Sequence, residues 1–78
     1  GYNSRMKSLI VTDQNIMHGQ PCFAGTRVTV QTLFDHLREG YTIDAFLEEF
    51  PTVDRETVME LLNDLRTKAE ESAVVVRT

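Results

Sequence analysis

The chain has one cysteine, two prolines, four glycines and no tryptophan among its 78 residues. Each scarcity excludes something. A lone thiol, Cys22, cannot close an intrachain disulfide, so a small secreted scaffold stapled by bridges is ruled out. The same lone thiol points to a reducing, cytoplasmic compartment. No apolar run approaches the ~20 residues that a membrane-crossing helix needs. The opening Gly1-Tyr2-Asn3-Ser4-Arg5 is polar and no apolar stretch follows, so no secretory signal is expected. Residues 1–7 read as a disordered or added N-terminus, in which residues 1–5 are the addition and Met6 is the natural start.

Histidine is scarce too. His18 and His36 fall on different predicted elements, and no CxxC or HExxH spacing surrounds them or Cys22. No catalytic residue, metal ligand or cofactor site is therefore expected, and the chain is read as a non-enzyme. Cys22 is read as a small buried hydrophobe and His36 as a solvated helix residue.

What is present is one small domain. A chain of this length buries only roughly 60–65% of its unfolded surface. Its core is thin, and such domains gain from a partner subunit. Charge is uneven: the net −4 divides into +1 over residues 1–40 and −5 over residues 41–78. There is no internal repeat and no low-complexity segment.

The few glycines and prolines punctuate the chain. Residues 8–12 read as a strand centred on Leu9, Ile10 and Val11, followed by an Asp13-Gln14-Asn15 turn signal. Gly19-Gln20-Pro21 breaks the chain again, and Pro21 belongs at a strand start or edge. Cys22-Phe23 and Arg27-Val28-Thr29-Val30 flank Ala24-Gly25 as the arms of a tight hairpin, with Gly25 supplying a positive φ.

From Val30 the apolar period changes from two to 3.6. Val30, Leu33, Phe34 and Leu37 share one helical face, and Gly40 ends that helix at C′. Thr42 caps a second helix with Ile43, Phe46, Leu47 and Phe50 on its apolar side, and Tyr41 and Phe46 have hydrophobic-staple spacing. Pro51 stops it. Asp54 caps a third, longer helix whose core face is Val58, Leu61, Leu62 and Leu65; Val53 and Val58 repeat the staple spacing. The divisions are a hairpin region over 8–30, three helices over 31–69 and a tail over 70–78. The predicted fold is mostly α, a three-helix, homeodomain-like helix-turn-helix bundle behind a short N-terminal β-hairpin.

The series Gly19-Gln20-Pro21, Gly25-Thr26-Arg27-Val28-Thr29-Val30, Gly40-Tyr41-Thr42 and Phe50-Pro51-Thr52-Val53 resembles the domain of unknown function 433 family. The likeness covers about residues 9–68. It departs at His18-Gly19, where the family often has Gly-Gly, at Thr29, where proline is common, and at Val53-Asp54 in place of Leu-Thr. The resemblance implies a hairpin-preceded helix-turn-helix, a homodimer, and a VapB-type antitoxin role in a prokaryotic toxin–antitoxin pair. Its implied partner is a PIN-like ribonuclease toxin, and its implied second ligand is operator DNA.

The candidate residues carry alternatives. Gly19, Pro21, Gly25, Thr26, Gly40 and Pro51 are read as turn-forming. Arg27 reads as a contact to DNA phosphate or a toxin, or as a structural ion-pair partner. Arg55 at the start of the third helix is placed to reach guanine or phosphate, and Thr52 and Thr57 to reach phosphate. The third helix is nevertheless net negative, and DNA affinity rests on neutralising phosphates. Its acidity fits a protein partner instead, through Glu56 and Glu60 together with Glu48, Glu49, Glu70 and Glu71, or it is an ordinary solvated face. The β-branched Val74, Val75 and Val76 read as a partner-binding strand or a frayed end. The rival readings are a stand-alone DNA-binding regulator and a structural interaction module.

Overall fold

The computed structural model describes residues 9–76. The named elements of the described residues are two antiparallel strands, β1 (Ile10–Val11) and β2 (Cys22–Phe23), and the helices α1 (Val30–Arg38), α2 (Ile43–Glu49) and α3 (Arg55–Glu71). The expected disordered or added segment over 1–7 and the end of the tail at Arg77 and Thr78 lie outside the described residues.

The sheet register pairs Ile10 with Phe23 and Val11 with Cys22. The connection between the strands is not a tight turn. The Asp13 carboxylate accepts from Asn15 N at 2.9 Å, and the Asp13 carbonyl accepts from Ile16 N at 2.8 Å. A single 3₁₀ turn follows over Met17–Gly19. Its three residues all have positive φ: 50° at Met17, 57° at His18 and 82° at Gly19. A left-handed backbone costs a non-glycine residue about 1–2 kcal/mol. The turn is held by Gly19 N to Ile16 O at 3.0 Å and Gln20 N to Met17 O at 3.1 Å. Pro21 stands immediately before β2, the strand-start position that its missing N–H favours.

The predicted hairpin around Ala24-Gly25 is half formed. Gly25 has φ +77°, and Thr26 closes the turn by donating its hydroxyl to Phe23 O at 2.9 Å while accepting from Val28 N at 3.0 Å. Residues 27–30 do not make the expected strand. They contribute one bridge, Cys22 to Thr29, before Val30 begins α1. The reason is Thr29: its side chain accepts from Thr32 N at 3.1 Å, so the chain is committed to a helix at that residue. The two-stranded pairing is therefore β2 with the distant β1.

Helix α1 closes with reciprocal bonds across its end. Gly40, at φ +96°, donates to Leu37 O at 3.1 Å, and Tyr41 N donates to His36 O at 3.0 Å. This is the Schellman arrangement, and Gly40 supplies the left-handed residue it requires. Thr42 then caps α2 by accepting from Ala45 N at 3.0 Å. Tyr41 does not behave as a buried staple: it is 53% exposed and lies against His36, with ring centroids 5.3 Å apart. The second staple pair is fully formed, with Val53 and Val58 both buried. Asp54 occupies the N-cap position of α3, but its side chain makes no capping bond. Helix α3 runs to Glu71, two residues past the boundary expected at 69.

The core is one cluster of Phe23, Leu33, Phe46, Val53, Val58 and Leu61. It draws on the hairpin, on α1, α2 and α3, and on the turn after α2. Phe23 and Phe46 bring the two halves together, with ring centroids 6.3 Å apart. The result is a mostly helical domain whose α2–turn–α3 connectivity is that of a helix-turn-helix. Among the described residues no helix is long and apolar enough to cross a membrane.

Candidate functional site

One face of α3 carries the strongest candidate surface. Arg55, Glu56, Met59, Glu60 and Asn63 line a shallow depression of about 410 Å³ along α3. Their spacing of three and four places them on one helical face. Met59 is 48% exposed there, an apolar side chain among carboxylates. Glu56 makes no ion pair among the described residues.

Arg55, the residue best placed by sequence to read DNA, is ion-paired with Asp44 in the first turn of α2. The pair fastens the start of α3 to the start of α2 and neutralises the one cation in the first turn of α3. Both side chains are largely exposed. Such pairs are worth about 0–1 kcal/mol, so Arg55 can exchange Asp44 for another partner at little cost.

The other candidates are divided between places. Arg27 and Thr52 are brought together in a groove beside the hairpin, with Gly25 and Thr26 also in its wall. Thr57 is half-buried on α3, and Val74, Val75 and Val76 are exposed beyond the end of that helix. Arg27 and Arg55 thus line different depressions. Among the acidic residues, Glu49 is engaged by His36 and Glu70 accepts from Arg66 through both carboxylate oxygens at 2.9 Å. Glu48 and Glu71 are exposed.

His36 is the residue sequence reasoning misplaced. It is not a solvated helix residue: its side chain is only 20% exposed. Nδ1 lies 2.9 Å from Thr32 O, and Nε2 lies 3.1 Å from Glu49 Oε1. Both partners are acceptors only, and both ring nitrogens donate at once only in the imidazolium. The His36 pKa is accordingly raised above the ordinary 6.5, first by the Glu49 hydrogen bond and then by the Thr32 carbonyl, against the opposing effect of burial. The rings of Phe46 and Phe50 stand edge-on to it, with centroids 5.6 and 5.4 Å away. No short motif announces this arrangement. The available signal was the Thr32/His36 spacing on α1 together with the density of aromatics over residues 41–50.

Cys22 is buried, with its thiol 3.4 Å from Gln20 O. Among the described residues no group of three or more His, Cys, Asp or Glu side chains is arranged to hold a metal ion.

Residues 10–63 match the family described as "Protein of unknown function (DUF433)". The chain belongs to this family. The matched span contains the whole core, from the hairpin to Leu61, and stops before the last turns of α3. No curated protein and no solved structure matches the chain. The matched segment of this chain covers the hairpin, α1, α2, the first part of α3 and the residues Arg55, Glu56 and Glu60 of the depression.

Proposed function

We propose that this DUF433 protein is the antitoxin-like member of a toxin–antitoxin pair, which binds and neutralises a PIN-like ribonuclease and acts in the cytoplasm. The observation that carries the reading is electrostatic. The helix-turn-helix half of the chain has a net charge of −5. A surface of this sign repels nucleic acid, whose binding depends on neutralised phosphates. It is complementary to the electropositive groove with which a ribonuclease holds RNA.

On this reading Glu56 and Glu60 face the nuclease, and Met59 supplies an apolar contact between them. The antitoxin blocks the RNA path by occupying it, without chemistry of its own. Binding to operator DNA is a secondary activity of the complex, in which a basic partner supplies the missing positive charge. The test is co-expression with a short nuclease gene adjacent to this one. The nuclease alone should arrest growth, and this chain should restore growth and co-purify with it. Failure of both rescue and co-purification removes the proposal.

A further inference from the structure

Beside the hairpin lies a groove of about 680 Å³ whose apolar wall includes Val11, Ile16, Cys22 and Val28. Arg27 and Thr52 border the same space. At the other end of the molecule the chain leaves α3 as an unpaired segment carrying three consecutive valines. Val74, Val75 and Val76 are 84%, 86% and 78% exposed. An open apolar groove and an open β-branched segment in one chain are complementary in chemistry.

They cannot meet within one molecule. Thr52, in the turn leading into α3, lines the groove, so the groove sits at the N-terminal end of that helix. Helix α3 has 17 residues and is therefore about 25 Å long at ~1.5 Å per residue. The bonds from Ser72 N and Ala73 N to Lys68 O and Glu70 O fix where the tail departs. Four extended residues span at most about 14 Å from that point. Every residue of α3 from 65 onward is exposed, so its last turns stand clear of the core and carry the tail outward.

We propose that two copies of this chain exchange tails, residues 73–76 of each filling the hairpin groove of the other. The exchange is reciprocal, so one two-fold axis closes the assembly and each dimer contains two identical arm–groove contacts. Extended backbone points alternate side chains the same way, which directs Val74 and Val76 together into the apolar wall. Charge agrees: Arg27 has no carboxylate partner among the described residues, and Glu71 precedes the tail. The assignment gives Val74, Val75 and Val76 to a second copy, and leaves the Glu56 and Glu60 face to the nuclease.

The test is sedimentation equilibrium of the full chain across a range of concentrations, with two variants. The tail variant is Val74→Ser/Val75→Ser/Val76→Ser, at positions exposed in the monomer. The groove variant is Arg27→Glu, also at an exposed position. The natural chain should be dimeric, and each variant should dissociate at least tenfold more readily with an unchanged circular dichroism spectrum. Mixing the tail variant with a Val11→Asp chain should form heterodimers through the one intact arm–groove contact. A natural chain that is monomeric throughout, or a tail variant that dimerises as tightly as the natural chain, overturns the proposal. Nuclease binding by the tail variant is read separately and does not bear on the exchange.

Discussion

The imidazole of His36 bridges α1 to α2, with Nε2 3.1 Å from Glu49 Oε1 while Nδ1 stays 2.9 Å from the Thr32 carbonyl of its own helix. The bridge is complete only when the ring is protonated. A histidine whose pKa is raised on folding stabilises the fold fully below its unfolded value, near 6.5, and that contribution disappears as pH rises through the higher folded value. The melting temperature should therefore fall between about pH 6 and pH 8 for the natural chain. Glu49→Gln should flatten that slope. Identical slopes for the two proteins would remove the bridge as a source of pH dependence.

Helix capping gives a ranking. Thr29 accepts from Thr32 N and also bonds the Thr32 hydroxyl at 2.8 Å, and it is buried. Thr42 makes one exposed capping bond, to Ala45 N, and Asp54 makes none from its side chain. Thr29→Ala should cost about 2 kcal/mol, Thr42→Ala about 1 kcal/mol and Asp54→Ala less than about 0.5 kcal/mol. Urea denaturation of the three variants measures the order, and a loss at Asp54 as large as at Thr29 would contradict it.

The core is small enough that single truncations are severe. Leu33 and Phe46 are completely buried in one cluster. Removing either side chain should cost about 3–5 kcal/mol. A domain of this size holds about 4–12 kcal/mol in total. Leu33→Ala and Phe46→Ala should therefore be partly unfolded at 37 °C by circular dichroism, whereas Met59→Ala on the exposed face should melt near the natural temperature.

The Arg55–Asp44 pair separates stability from binding. Both side chains are largely exposed. Arg55→Ala should change stability by less than about 1 kcal/mol. If the helix-turn-helix reads DNA by itself, the same substitution should abolish specific binding to a fragment of its own promoter. On the account given above, the pure natural chain shows no such binding at moderate salt, and Arg55→Ala has nothing to remove.

Much of the fold was legible because it is periodic. Leu33, Phe46, Val58 and Leu61 each fall on the apolar face expected of their own helix and are buried, whereas Leu65, expected on the core face of α3, is 37% exposed because the last turns of that helix extend past the core. Gly40 and Thr42 announce a helix end and a helix start by local chemistry alone, and both act as their residue types demand. What was not legible depends on choices between distant partners. Strands of two residues carry too little pattern to say that Cys22-Phe23 would form its ladder with Ile10-Val11 and keep only a single bridge, at Thr29, to residues 27–30. Tyr41 had staple spacing to Phe46, yet its ring lies against His36. The candidate surface was half visible: Arg55, Glu56 and Glu60 are neighbours by helical geometry, but the Asp44 carboxylate that neutralises Arg55 comes from another helix. His36 was invisible for the same reason, because Glu49 and Phe50 reach it only once α1 and α2 have packed.

On the proposed reading the carboxylates of α3 engage a nuclease. The most direct measurement is titration of the purified neighbouring nuclease with this chain, following RNA cleavage, beside a Glu56→Lys/Glu60→Lys variant. The natural chain should abolish cleavage at a one-to-one ratio, and the variant should keep its fold but inhibit at least tenfold more weakly. Equal inhibition by the two proteins, or no inhibition by the natural chain, would contradict that reading.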